Sequence, residues 1–209
     1  MRSKAILLFL ILMTSSTAGV FSQTAVTGKN YRKEILKERK KNDREFKRAD
    51  NSPLDPKYKP DFKGLEYFSI APEWVLNATL IPYANPDTIK MKTTTERLPL
   101  YLVYGKANFT IDGKKFNLTV FRNISLMTKP GYEDYLFIPF TDQTSGNESY
   151  GGGRYIDSRI TEGNQILIDF NKAYNPYCVY SKKYSCPIPP AENYLDIRVT
   201  AGVKDFHHE

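Results

Sequence analysis

Two hydrophobic periods divide the chain. In KNYRKEILKERKKNDREFKRAD, residues 29–50, apolar side chains return at helical spacing. Tyr31, Ile35, Phe46 and Ala49 share one narrow stripe, with Asn42 between them. Only the two ends of that stripe are apolar, which predicts an amphipathic helix lying across a domain rather than inside it. Glu34/Lys37, Glu38/Lys41 and Asp43/Lys47 are spaced for weak ion pairs along it. The three prolines of SPLDPKYKP then stop the helix and open a linker.

Beyond Phe62 the period falls to two. Trp74, Leu76, Ala78 and Leu80 share a face, Ile89 and Met91 alternate with lysines, and Leu98, Leu100, Leu102 and Tyr104 form another face. The best-defined unit is ANFTIDGKKFNLTVF. Asp112-Gly113 is a hairpin signal, because a type I′ turn needs positive φ at both central positions. Folding about it sets Ile111 opposite Lys114, Phe109 opposite Phe116 and Ala107 opposite Leu118, leaving Asn108, Thr110, Asn117 and Thr119 on the solvent face. Further strands are predicted at LFIPF (136–140), ILIDF (166–170) and YLDIRV (194–199), and RYIDSRI is strand-like. Many short strands with frequent turns and no helices between them predict a mainly β protein, an antiparallel β-sandwich or open barrel with one N-terminal helix.

The first residues read as an address. Arg2 and Lys4 precede AILLFLILM, nine apolar residues, too few for a bilayer crossing, which takes about 20. The stretch predicts a secretory signal peptide over residues 1–22, cut after Ala18 or Ser22, with no cysteine nearby to carry a lipid anchor. The expected organisation is therefore a signal peptide (1–22), a helix and Pro-rich linker (23–61) and a single β domain (62–209). No transmembrane segment is expected in the mature chain.

The net charge of +7 suggests an acidic partner until its distribution is read. Residues 29–50 carry ten Lys/Arg against five Asp/Glu, whereas residues 51–209 carry eighteen of each. A nucleic-acid binder would place a basic face on its folded domain, so that class is rejected.

Candidate chemistry is sparse. The two histidines, His207 and His208, end the chain, which removes Ser-His-Asp, Cys-His and HExxH-type catalysis. Catalysis would have to rest on carboxylates such as Asp157, Asp169 or Glu192, or on a tyrosine or lysine base; no cofactor or metal is expected. In YGGGRYID (150–157) the glycines run into a strand instead of a helix, so the phosphate-loop reading fails. Two readings of Arg154 stand: a fork for a carboxylate, sulfate or phosphate beside closely approaching backbone, or, with the glycines a bulged corner, a partner for Asp157 or Asp169.

The second informative stretch is DFNKAYNPYCVYSKKYSCPIPPAEN (169–193), dense in tyrosine and holding both cysteines. Cys178 and Cys186 are too far apart for a CxxC pair, and without histidines they cannot complete a zinc site. In an exported chain a disulfide is the economical reading, with two buried thiols as the other. Five N-x-S/T triplets start at Asn77, Asn108, Asn117, Asn123 and Asn147.

YGGGRYID, DFNKAYNPYC, YSCPIPPAEN, SPL and FKGLEYF together resemble the domain-of-unknown-function family 1684, over Lys29 to Val203. The resemblance implies a bacterial source, hence idle sequons and a periplasmic or secreted protein. It implies no activity, substrate or catalytic residue. The functional expectation is an exported, non-catalytic binding module for a small anionic or glycan-like ligand, held by Arg154, Asp169, Asn171, Tyr174 and Asn175. A carboxylate-dependent hydrolase and a structural or protein-interaction module are the alternatives.

Overall fold

The structure, a computed structural model, describes residues 28–206. The expected signal peptide, its cleavage sites and both histidines lie outside the described residues. Helix α1 runs Lys29–Arg48 and buries Tyr31 and Ile35 at one end and Phe46 at the other, as the split stripe predicts. None of the three expected ion pairs is formed among the described residues: Lys41 pairs with Glu45 one turn on, while Glu38 reaches Lys172 and Asp43 accepts the Leu65 N–H, tertiary partners that outweigh weak, exposed helical pairs.

Eight strands follow: β1 (Val75–Pro82), β2 (Thr88–Lys90), β3 (Leu100–Ile111), β4 (Lys114–Asn123), β5 (Tyr135–Asp142), β6 (Arg154–Arg159), β7 (Gln165–Asp169) and β8 (Tyr194–Leu195). The sheet order is β6-β5-β4-β3-β1-β7, with β2 on β3 and β8 parallel to β5. The Ser158 hydroxyl donates to the Leu167 carbonyl at 3.1 Å, drawing β6 toward β7 and nearly closing the sheet into a barrel. Between the two architectures expected, the barrel is the one formed.

The hairpin has the predicted register, with Asp112 at φ 48° and Gly113 at φ 77°. Thr119 departs from its expected place in solvent: it is buried, because the chain around Asn193 crosses over it. The predicted strand 194–199 shrinks to two residues. Its alternation is honoured in burial, since Leu195 and Val199 join the core, but its backbone turns to other partners. The Val199 N–H goes to Asp142 and the Val199 carbonyl to Arg154.

Alternation along the strands builds two cores. Ala78, Phe109, Leu118, Leu136, Ile138, Phe140 and Ile156 fill the barrel. On the other face of β3–β6, Tyr101, Phe121, Phe137 and Tyr155 form an aromatic layer that the chain after β7 covers. A third cluster, of Phe46, Leu54, Phe62 and Tyr180, ties α1 and the linker to that covering segment.

Candidate functional site

The glycine-arginine stretch is a corner. Gly153 has φ 88°, and a Cβ there would stand 2.5 Å from the Phe140 carbonyl oxygen, so only glycine fits. Arg154, the first candidate for holding an anion, is fully buried. Its Nη2 lies 3.1 Å from Asp142 Oδ1 and 3.0 Å from the Val199 carbonyl, while Nη1 takes the carbonyls of Ala201 and Val203. Its guanidinium lies near the rings of Phe68 and Phe140. The role expected of Arg154 is corrected on this geometry: its η-nitrogens are spent on the protein's own C-terminal carbonyls and on Asp142, while Asp157 and Asp169, the aspartates expected as its partners, are held by tyrosines.

The other candidates separate. Asp169 is buried and clamped: Tyr31 donates to both its oxygens at 2.8 and 2.9 Å, and the Asn171 N–H adds a third bond. Burial nonetheless raises its pKa above the ordinary carboxylate value. Asn171 acts as a surrogate strand, exchanging two 2.8 Å hydrogen bonds with the Ala71 backbone. Asn175 donates to the Lys204 carbonyl, and its own Oδ1 is buried with no hydrogen-bond partner among the described residues. Asp169 and Asn171 thus dock the segments around the barrel. Asn171, Tyr174 and Asn175 line one cavity, and of these Tyr174 bonds a carboxyl group in it.

That cavity is a cleft of about 480 Å³. One wall is the aromatic layer on β3, β5 and β6, the second is the covering segment 171–187, and α1 spans it with Glu38, Arg39, Asn42 and Glu45. The polar middle of α1 explains the gap: apolar side chains grip the body only at the helix ends, so nothing fills the space beneath its centre. The covering segment is pinned from outside the cleft. Arg97 donates to the Ser185 carbonyl at 2.7 Å and to its hydroxyl at 3.1 Å, and Thr94 exchanges hydrogen bonds with Cys186.

Asp157 sits in the aromatic wall. The hydroxyls of Tyr135 and Tyr174 each donate to its Oδ1 at 2.7 Å, and no hydrogen-bond partner among the described residues takes Oδ2. The residue is solvent-accessible, yet it is ringed by aromatic groups. That surrounding desolvation raises the carboxyl pKa, while the two phenols act the other way. Both phenols are held well above their ordinary value by burial and by the Asp157 charge, so they remain donors.

Cys178 and Cys186 stand as free thiols, with the Cys178 N–H 3.2 Å from Cys186 Sγ. Their shared hydrogen bond lowers the Cys178 pKa and raises that of Cys186. Among the described residues no group of three or more His, Cys, Asp or Glu could hold a metal ion, and no helix is long and apolar enough to cross a membrane.

Residues 60–204 match the family described as "Protein of unknown function (DUF1684)". The chain belongs to the DUF1684 family. A solution NMR structure of the uncharacterized protein from gene locus rrnAC0354 of Haloarcula marismortui is similar to this DUF1684 chain, with 34% identity, a TM-score of 0.65, and coverage of 86% of this chain and 97% of that one. No protein of curated function matches.

In this DUF1684 chain the stretches that suggested the family have different tasks. YGGGRYID turns the corner and then contributes Tyr155 and Asp157 to the cleft, whereas DFNKAYNPYC supplies much of the covering wall. Sequence reading missed Tyr135, Tyr101 and Tyr155 as site residues and named Asp157 only as a possible catalyst. A signal was present. Tyr135 and Phe137 alternate with Leu136 and Ile138, as Tyr155 and Asp157 alternate with Arg154 and Ile156, so a second aromatic face was written in the same strands.

Proposed function

We propose that this protein is a non-catalytic binding module whose small organic ligand sits in the cleft, its apolar face against the tyrosines and a hydrogen-bond donor on Asp157 Oδ2. The observation that carries this reading is the accessible Asp157 carboxylate, with one oxygen fixed by two phenols and the other free. Of the two ligand classes expected from sequence, the anionic one loses its residue with Arg154 buried. The glycan-like one, donors on an apolar frame, keeps its partners. A hydrolytic reading would need a second, uncommitted carboxylate facing Asp157; Asp169 is clamped by Tyr31, and the other acids of the lining, Glu38 and Glu45, pair with Lys172 and Lys41.

A thermal-shift screen of the purified protein against sugars, amines and carboxylates tests the binding reading. A ligand at 100 times its Kd stabilises by about 2.7 kcal/mol, a shift of roughly 5–10 °C at this chain length. Tyr177 is 47% exposed and lines the cleft, so Tyr177→Ala leaves the fold intact and should reduce that shift. A ligand whose shift survives Tyr177→Ala and Tyr174→Phe unchanged binds elsewhere, and the reading fails.

We further propose export to the periplasm or beyond in a bacterial host, supported by Arg2, Lys4 and the apolar run after them. In that oxidising setting Cys178 and Cys186 would join, closing a short loop worth roughly 2–3 kcal/mol on the chain-entropy model. The bond would brace the covering wall, because Cys186 lines the cleft. Mature protein isolated without reductant should show no reactive thiol after unfolding; two thiols per chain would discard the disulfide.

A further inference from the structure

The ligand's donor can be named more closely, on the reading that the cleft binds a small molecule. The ionisable side chains lining the cleft are largely spoken for. Lys172 pairs with Glu38 at 3.2 Å, and Glu45 with Lys41 at 3.6 Å. Arg39 donates to the Phe68 carbonyl at 3.0 Å and lies 4.3 Å over the Tyr67 ring. Asp157 is the one acid of the lining without a cation within 4 Å among the described residues. Arg159, two residues on, turns away to Asp134 at 2.6 Å and to the Gly131 carbonyl at 2.7 Å.

A ligand that covers Asp157 strips water from a charge that two neutral phenols compensate only in part. A hydroxyl donor would satisfy Oδ2 but bring no opposite charge. A cationic nitrogen would supply the opposite charge. Tyr135, Tyr174, Tyr155 and Tyr101 also line the cleft, and a cation that settles against a ring face is attracted by its quadrupole, whereas an anion is repelled.

We infer that the cleft is an aromatic cage for an organic ammonium ion, with Asp157 as its counter-charge. Calorimetric titration of the unmodified protein with choline and with butylammonium, each beside its uncharged carbon isostere, and with acetate, tests it. One of the cations should bind at least about tenfold more tightly than its isostere, a difference set by charge alone. Asp157→Asn, which keeps shape and acceptor but removes charge, should erase the difference. Equal binding of cation and isostere, or preference for acetate, overturns the ammonium assignment. If a neutral compound then binds and Tyr177→Ala weakens it, the cleft reading survives alone. Binding by none of the probes overturns the assignment, and the cleft reading falls with it if the wider screen is also blank. The isostere comparison needs no variant, so a poorly folding Asp157→Asn protein does not blunt the test.

Discussion

Replacing Arg154 by alanine should lower the unfolding midpoint by about 6–20 °C, because leaving a buried partner charge uncompensated costs about 3–5 kcal/mol and each kcal/mol is about 2–4 °C at this length. The Asp142 carboxylate would stay buried with only the N–H groups of Thr144 and Val199 and neighbouring hydroxyls around it. The carbonyls of Val199, Ala201 and Val203 would lose their donor, so residues 199–203 should loosen together. Differential scanning calorimetry with amide exchange over 199–203 reads both effects. A midpoint within 2–3 °C of the unmodified protein, or normal protection of that segment, would show that Arg154 does not hold it.

Asn193→Leu should be nearly as damaging although it adds apolar surface. Strands β4 and β5 pair in register only at Phe121 and Phe137, and Pro139 brings no N–H to the ladder. Asn193, fully buried, mends that seam: Oδ1 accepts the Thr119 N–H at 2.7 Å, and Nδ2 donates to the carbonyls of Thr119 and Pro139 at 2.9 and 2.7 Å. Leucine keeps the branched shape, is larger, and satisfies none of the three. With about 1–3 kcal/mol for each buried group left unpaired, the expected loss is about 3–5 kcal/mol. Asn117→Leu on the exposed face of the same strand is the control and should stay within about 0.5 kcal/mol. Urea midpoints compare the two. Equal midpoints would mean that water or a backbone shift replaces Asn193 without cost.

These two residues also mark how far the sequence could be read. The hairpin was legible because everything that fixes it is local: Asp112-Gly113 sets the turn, and the alternation on both sides agrees with it. The helix was legible down to its apolar ends. Arg154 was not, since its partners stand 12 residues away at Asp142 and 45 or more at the C-terminal carbonyls. Three glycines and an arginine look like an accessible loop when only the neighbours are read. The cleft was hidden for a related reason. Asp157 and Tyr135 sit on the strand face that one-sided alternation assigns to solvent, and only the return of residues 170–187 over that face, bringing Tyr174 with it, makes it a wall.

The dependence of Arg154 and of the β4–β5 seam on residues 193–203 has a consequence for biosynthesis. Ribosomes deliver the N-terminus first, so a nascent chain can expose β1 to β7 while Asn193 and the carbonyls of 199–203 are still inside the exit tunnel. At that stage the Arg154–Asp142 pair lacks its backbone partners and the seam between β4 and β5 is open. Closure of the barrel therefore waits on residues 193–203, and the strands made before them hold together only once that stretch has packed across them.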